Sequence, residues 1–298
     1  MRPLARIALV ASLLASISVL APSAWARRFN AAPGPDGGFF VDPANGNDGN
    51  SCRSATAACR TIAAAVTKSG GAGTITIASG TYAENLSLGN VQLALVGAGA
   101  STTTIDGGGN GRVITWAPTG LTGSSLSISG VTIQNGVVVD GPGAGLYASG
   151  NDTTLTLSGV VVTANQCSGS ARSSPCFGGG LYFNGVKLTA SDVTFSGNDA
   201  TFGAGLFFTT LNVTVQSTLT RVTFEGNVGN AALYVLGTLT FGGPSPLALH
   251  DVTFTDNVGG IASIALCNAG FAASTLTFAG HAGVDVSIDS GALGGPCA

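Results

Sequence analysis

Charge is scarce in this 298-residue chain: Lys, Arg, Asp and Glu make up only 8% of it, against roughly a quarter in ordinary domains. With 11 basic residues and a formal net charge of −3, it has no stripe of Lys and Arg to neutralise phosphates, so a nucleic-acid partner is excluded. Cys-x-x-Cys is absent, which removes the usual metal and redox reading of its six cysteines. There is no Asp-Asp, no Gly-His-Gly and no Gly-x-Ser-x-Gly turn. The compact acid sets of a uronate hydrolase and the nucleophile elbow of a serine hydrolase are therefore missing. No apolar run of membrane-spanning length follows residue 20.

What the chain does have is a refrain. Val131-Thr-Ile-Gln-Asn135, Val160-Val-Val-Thr-Ala-Asn165, Val193-Thr-Phe-Ser-Gly-Asn198, Val222-Thr-Phe-Glu-Gly-Asn227 and Val252-Thr-Phe-Thr-Asp-Asn257 begin 29, 33, 29 and 30 residues apart. The first four are followed by Gly145-Leu-Tyr147, Gly180-Leu-Tyr182, Gly205-Leu-Phe207 and Ala232-Leu-Tyr234. A period in this range means stacked units, each one turn of a solenoid. Apolar residues alternate within each unit, as in Leu126, Ile128, Val131 and Ile133, which is the period of strands with one buried face. Three short strands fit one repeat. The expected fold is all-β, a right-handed parallel β-helix with a short N-terminal capping helix at about residues 56–69.

The repeated Asn has a place in that fold. At a corner between strands its amide can bond the equivalent Asn one turn away, and Asn tolerates the left-handed backbone a sharp corner needs. Asn165, Asn198, Asn227 and Asn257 are expected to form such a ladder, with Asn135 shifted by one residue. Phe195, Phe224 and Phe254 are expected to stack beneath one another.

Residues 1–26 carry Arg2 and Arg6, an apolar stretch from Ile7 to Leu20 and Ala24-Trp25-Ala26, the pattern of a secretory signal peptide. Residues 27–38 are Pro- and Gly-rich and read as a flexible leader; 39–298 read as a single domain. A protein secreted to the periplasm or exterior, with no membrane span after signal cleavage, is the consequence, and a monomer is expected. Six cysteines suit that oxidising compartment. Among fifteen connectivities, local pairing of Cys52 with Cys59, Cys167 with Cys176 and Cys267 with Cys297 is the economical choice. The middle pair would staple the one outsized loop, Gln166 to Phe177.

Phe40-Val-Asp-Pro-Ala-Asn-Gly-Asn-Asp48, Cys59-Arg-Thr-Ile-Ala-Ala-Ala65 and Ile75-Thr-Ile-Ala-Ser-Gly-Thr-Tyr-Ala-Glu84 together resemble the N-terminal module of bacterial secreted β-helix proteins of the pectin-lyase-like superfamily. Gly178-Gly-Gly-Leu181 and the Phe-x-x-Asn elements resemble the repeats of polymorphic outer-membrane proteins, a surface adhesin class. The resemblance implies the shape. It does not choose among lyases, hydrolases, adhesins and structural rods.

A lyase would need a base beside an acid set. Lys187 and Arg221, with Asp192 and Asp251, are the candidate group, and each also reads as an ordinary solvated strand or turn residue. No cofactor is expected. Calcium is the one ion with a candidate seat, at Asn45, Asn47 and Asp48, although the segment lacks the alternating acids and closing Glu of a calcium loop. The favoured expectation is a non-catalytic rod presenting loops to an extracellular polysaccharide or a surface protein, or serving a structural role. The alternative is a polysaccharide lyase or glycoside hydrolase acting on acidic polysaccharide.

Overall fold

A computed structural model describes residues 38–120, 123–169, 176–210, 215–237, 247–259, 262–267, 271–280 and 284–289. The expected signal peptide, all but the last residue of the leader, and Cys297 lie outside these residues. The chain is a right-handed parallel β-helix. Its strand pairs are parallel and join segments one repeat apart, such as Ser124–Ser129 with Thr153–Ser158 and Leu146–Ser149 with Leu181–Gly185. Two long sheets result, of 15 and 8 strands, with a separate two-stranded sheet beside them.

Each coil winds over the three faces of the rod. In the coil that begins at Ser124 they are Ser124–Ser129, Thr132–Gln134 and Leu146–Ser149. The first two faces belong to one sheet. Lys187–Ser196 runs through both, and so does Ser217–Glu225. Alternation fills the interior: Leu126, Ile128, Leu155, Leu157, Leu188 and Leu219 are buried, and intervening Ser and Thr face out. One continuous core reaches from Phe39 to Leu266.

The Asn residues tie the coils together. Asn165, Asn198, Asn227 and Asn257 are all buried. The Nδ2 of Asn227 donates to Asn257 Oδ1 (2.9 Å) and to Phe195 O (2.8 Å), while its Oδ1 accepts from Asn198 N (3.1 Å) and Asn198 Nδ2 (3.0 Å). Asn165 joins Asn198 in the same way. At the rung below, Gly136 takes the ladder position and donates its amide to Asn165 Oδ1 (2.8 Å). The left-handed residue of this corner is not the Asn, as the residue type suggested, but the one before it: Asn135, Ala164, Gly197, Gly226 and Asp256 all have φ between 51° and 58°. The reason is that the Asn must aim its side chain inward along the axis, so the turn itself falls to its neighbour.

The interior aromatics follow the same register. Phe195, Phe224, Phe254 and Phe278 stack with centroids 5.1, 4.9 and 5.2 Å apart. Each buried ring contributes roughly 1.5–3 kcal/mol. At Gly180 this packing leaves no room for a side chain: a Cβ there would lie 2.6 Å from Gly205 O and 3.1 Å from the Phe195 ring.

At the N-terminal end the first strand is Phe39–Val41, ahead of the helix, and it pairs with Ala72–Ile77. The helix, α1, is Ile62–Ser69, shorter than the expected 56–69. Cys59 is bridged to Val41 and bonded to Cys52, which keeps residues 58–60 extended; only Ala55–Ala57 make a 3-10 turn. Thr61 caps α1. Glu84 accepts from the amides of Ile62 (2.8 Å) and Ala63 (2.9 Å), two of the donors a helix start leaves open. Burial raises the Glu84 pKa above 4.5 despite those two bonds.

Asn227→Ala would strand the Asn198 amide donors and the Phe195 carbonyl, so a loss of at least about 3 kcal/mol is expected in chemical denaturation. Asn135 lies off the ladder, with its Nδ2 on Asp106 Oδ2. Asn135→Gly, which suits the left-handed corner, should cost less than about 1 kcal/mol. Equal losses would remove the ladder's special role.

Candidate functional site

The four charged candidates do not meet at one place. Asp192 (φ 55°), Arg221 (φ 52°) and Asp251 (φ 55°) occupy one column, the left-handed bend between the first and second faces, which Gly130 and Gly159 fill on the two rungs below. Lys187 starts the strand in which Asp192 is the bend, so the two are separated by five residues, on the order of 16 Å. Arg221 is committed to Asp192: Nε to Oδ1 and Nη2 to Oδ2 are both 2.7 Å. That bond holds the Asp192 carboxyl below its ordinary 3.8 and raises the guanidinium pKa further, so Arg221 stays a fixed cation rather than a proton acceptor. His250 Nδ1 lies 2.9 Å from Ser274 Oγ on the exposed surface. His281 lies outside the described residues.

The calcium candidates are internally satisfied. Asp48 Oδ1 accepts from the amides of Arg60 (2.8 Å) and Thr61 (2.9 Å), and Oδ2 accepts from the Thr61 hydroxyl (3.1 Å). Burial pulls the Asp48 pKa up, but these bonds and Lys68 outweigh it and hold it below 3.8. Asn47 Oδ1 accepts from Gly49 N, and Asn45 Nδ2 donates to Asp42 Oδ2. The Lys68 ammonium donates to the carbonyls of Asp48 and Asn50, so a cation of the chain's own already sits on this loop. Among the described residues no group of three or more His, Cys, Asp or Glu converges as a metal site would require.

Two of the cysteine pairs are Cys52–Cys59 and Cys167–Cys176; Cys267 is also disulfide-bonded. Of the stapled loop, residues 170–175 lie outside the described residues.

The surface does offer a trough on the first face. Two shallow, open depressions of about 220 and 300 Å³ adjoin at Gln92. Their walls come from Gly70–Ala72, Asn90 and Ser124 at one end, and from Thr74, Ala94, Ser125, Ser127, Thr154 and Thr156 along the rest. The registers explain the shape. Gln92, Ser125, Thr154 and Lys187 form one outward column, and Thr74, Ala94, Ser127, Thr156, Thr189 and Thr218 the next. Small side chains at Ala72, Gly73 and Ala94 lower the floor, and longer polar ones flank it. No charged residue lines either depression. Lys187, on the next rung, stands at the far end.

Sequence reasoning aimed at ionisable groups passed over these residues. The usable signal was Ser-Ser-Leu-Ser-Ile-Ser (124–129) above Thr-Thr-Leu-Thr-Leu-Ser (153–158), which places hydroxyls on alternate positions of successive rungs.

No known protein family matches the chain, and no curated protein matches it significantly. Among solved structures, the pectin methylesterase of Aspergillus niger in penultimately deglycosylated form is similar at 15% identity, with 88% of each chain covered and a TM-score of 0.42. The deglycosylated form of that enzyme matches over 87% of each chain, at 15% identity and a TM-score of 0.33. Likeness this distant adds nothing to the fold, which rests on the strand registers above.

The Asp192 carboxyl, followed by NMR, should titrate below 3.8 and return toward that value in Arg221→Gln. Its depressed pKa means that the pair's contribution is present above the ordinary carboxylate range and lost as pH falls through the lowered value. Both side chains are more than half exposed, so the effect on stability should be small. An ordinary titration in the wild type would refute the pair.

Proposed function

We propose that this protein is a secreted or cell-surface β-helix that binds an extracellular polysaccharide without cleaving it, and that the first-face trough is the seat. The observation that carries the reading is the trough's lining: hydroxyls and amides at rung spacing, about 4.8 Å apart along the axis, without a carboxylate or cation among them. Hydroxyls and amides both donate and accept, as sugar hydroxyls do, and rigid strands hold them in place before a ligand arrives. A polymer lying along the axis would meet equivalent groups rung after rung.

The ionisable groups support binding over chemistry. Arg221 is tied to Asp192, and Lys187 stands apart from both, so the base and acid of a lyase are not together. The disulfides suit an oxidising, extracytoplasmic compartment.

Affinity electrophoresis of the full chain through gels containing neutral or acidic polysaccharides tests this, with new reducing ends and unsaturated uronate followed in parallel. Retention by a neutral polymer, without product, is expected. Ser127→Tyr or Thr156→Tyr would fill the trough and weaken retention at least about tenfold, with an unchanged melting temperature. Product that disappears in Lys187→Ala would instead make the protein a lyase or hydrolase. Retention unaffected by either Tyr variant would sink the trough as the seat.

A further inference from the structure

A second surface lies away from the trough and has different chemistry. Val137–Val139 forms the two-stranded sheet with Gln166–Ser168 and, among the described residues, has no other strand neighbour. Gln166 N donates to Gly136 O and Asp140 N to Ser168 O, so even-numbered residues face the partner strand. The backbone groups of Val137 and Val139 therefore point to the open edge. Val137 N is taken by Gly111 O (2.9 Å), and Val139 is 61% exposed.

Arg112 stands beside this edge. A Cβ on Gly141 would lie 3.0 Å from Arg112 Nη2 and 3.3 Å from Val138 Cγ1, so guanidinium and valine edge are one residue's width apart. Arg112 Nε donates to Pro142 O (2.8 Å), and its Cζ lies 5.1 Å from the centroid of Tyr147. Tyr147 stacks on Tyr182 at 5.4 Å and 7°. The Gly141 carbonyl rests against both sulfurs of Cys167–Cys176, so the staple braces the turn that holds the arginine. No carboxylate among the described residues pairs with Arg112, which is half-buried.

We propose that this ridge docks an extended, acidic polypeptide, which adds as a strand to the Val137–Val139 edge and places a carboxylate on Arg112. Strand addition uses such an edge, and natural edges are usually guarded by Lys or Pro, which these three positions lack. Tyrosine and arginine are also among the residues that anchor protein interfaces. A sugar fits less well. Tyr182 is covered on both sides, by Tyr147 and by Phe207 at 5.4 Å, and the free face of Tyr147 lies under Arg112. Ring edges and hydroxyls are left exposed, without an open face for a pyranose.

The test is selection of a displayed random octapeptide library on the full chain. Enriched peptides should alternate β-branched or aromatic residues and carry Asp or Glu. A synthetic peptide of the enriched sequence should bind at least tenfold more weakly when its acid is changed to Gln. Val139→Pro removes the open-edge donor without touching the pairing to Ser168, and should weaken binding at least tenfold with an unchanged melting temperature. Arg112→Gln should do the same for acidic peptides only. The proposal is overturned if nothing is enriched, if the acid is dispensable, or if Val139→Pro binds normally. Displacement of the peptide by polygalacturonate would give the ridge to a glycan and also overturn it. None of these outcomes bears on the trough.

Discussion

The side-chain amide passed from Asn to Asn along the axis is the constraint on which the rest depends. An Asn buried at a corner must find partners for its oxygen and two hydrogens, and the same residue one coil away, with a carbonyl nearby, supplies them. A slip of one residue in any coil would break that column and turn every following side chain to the wrong face. The register of the Phe stack, the Gly beside it and the left-handed residue before each Asn all follow from it. The long 33-residue repeat between Val160 and Val193 keeps the register by placing its surplus in the stapled loop.

Once the interior is committed, the few charges serve mostly to finish the rod. Asp48 ties Arg60 and Thr61, Glu84 closes the start of α1, and Asp192 with Arg221 covers a bend that Gly occupies on lower rungs. Charge spent in this way is not available at a reaction centre. What lines the trough on the first face is neutral and regular. The stapled side is irregular: a disulfide holds a turn, the turn holds Arg112, and Arg112 lies on a tyrosine stack beside an open strand edge.

Fold class, strand period, the Asn ladder and two local cysteine pairs, Cys52–Cys59 and Cys167–Cys176, were legible in the chain because each is a statement about residues at short or repeated spacing, and spacing is what a sequence records directly. The cap helix start was not. Thr56 to Cys59 has the composition of a helix, but Ala55–Ala57 make only a 3-10 turn, and the Cys52–Cys59 bond and the bridge to Val41 hold the residues after it extended. The left-handed corner residue was assigned to the Asn on propensity, when the need to aim that side chain inward moves the turn to its neighbour.

The sites were less legible, for a physical reason. Lys187, Asp192 and Arg221 are close in repeat number, but which of them touch depends on which side of a bend each occupies. A bend at Asp192 is visible only when the chain is wound. Likewise Ser127 and Thr156, or Arg112, Val138 and Tyr147, are neighbours only across coils. The sequence by itself determined that this chain is a parallel β-helix and which residues face inward, since one-dimensional periodicity suffices for that. Only the tertiary structure decided where a trough opens, and that Arg112 stands without a carboxylate partner among the described residues beside the Val137–Val139 edge, because those depend on contacts between coils about 30 residues apart in the chain.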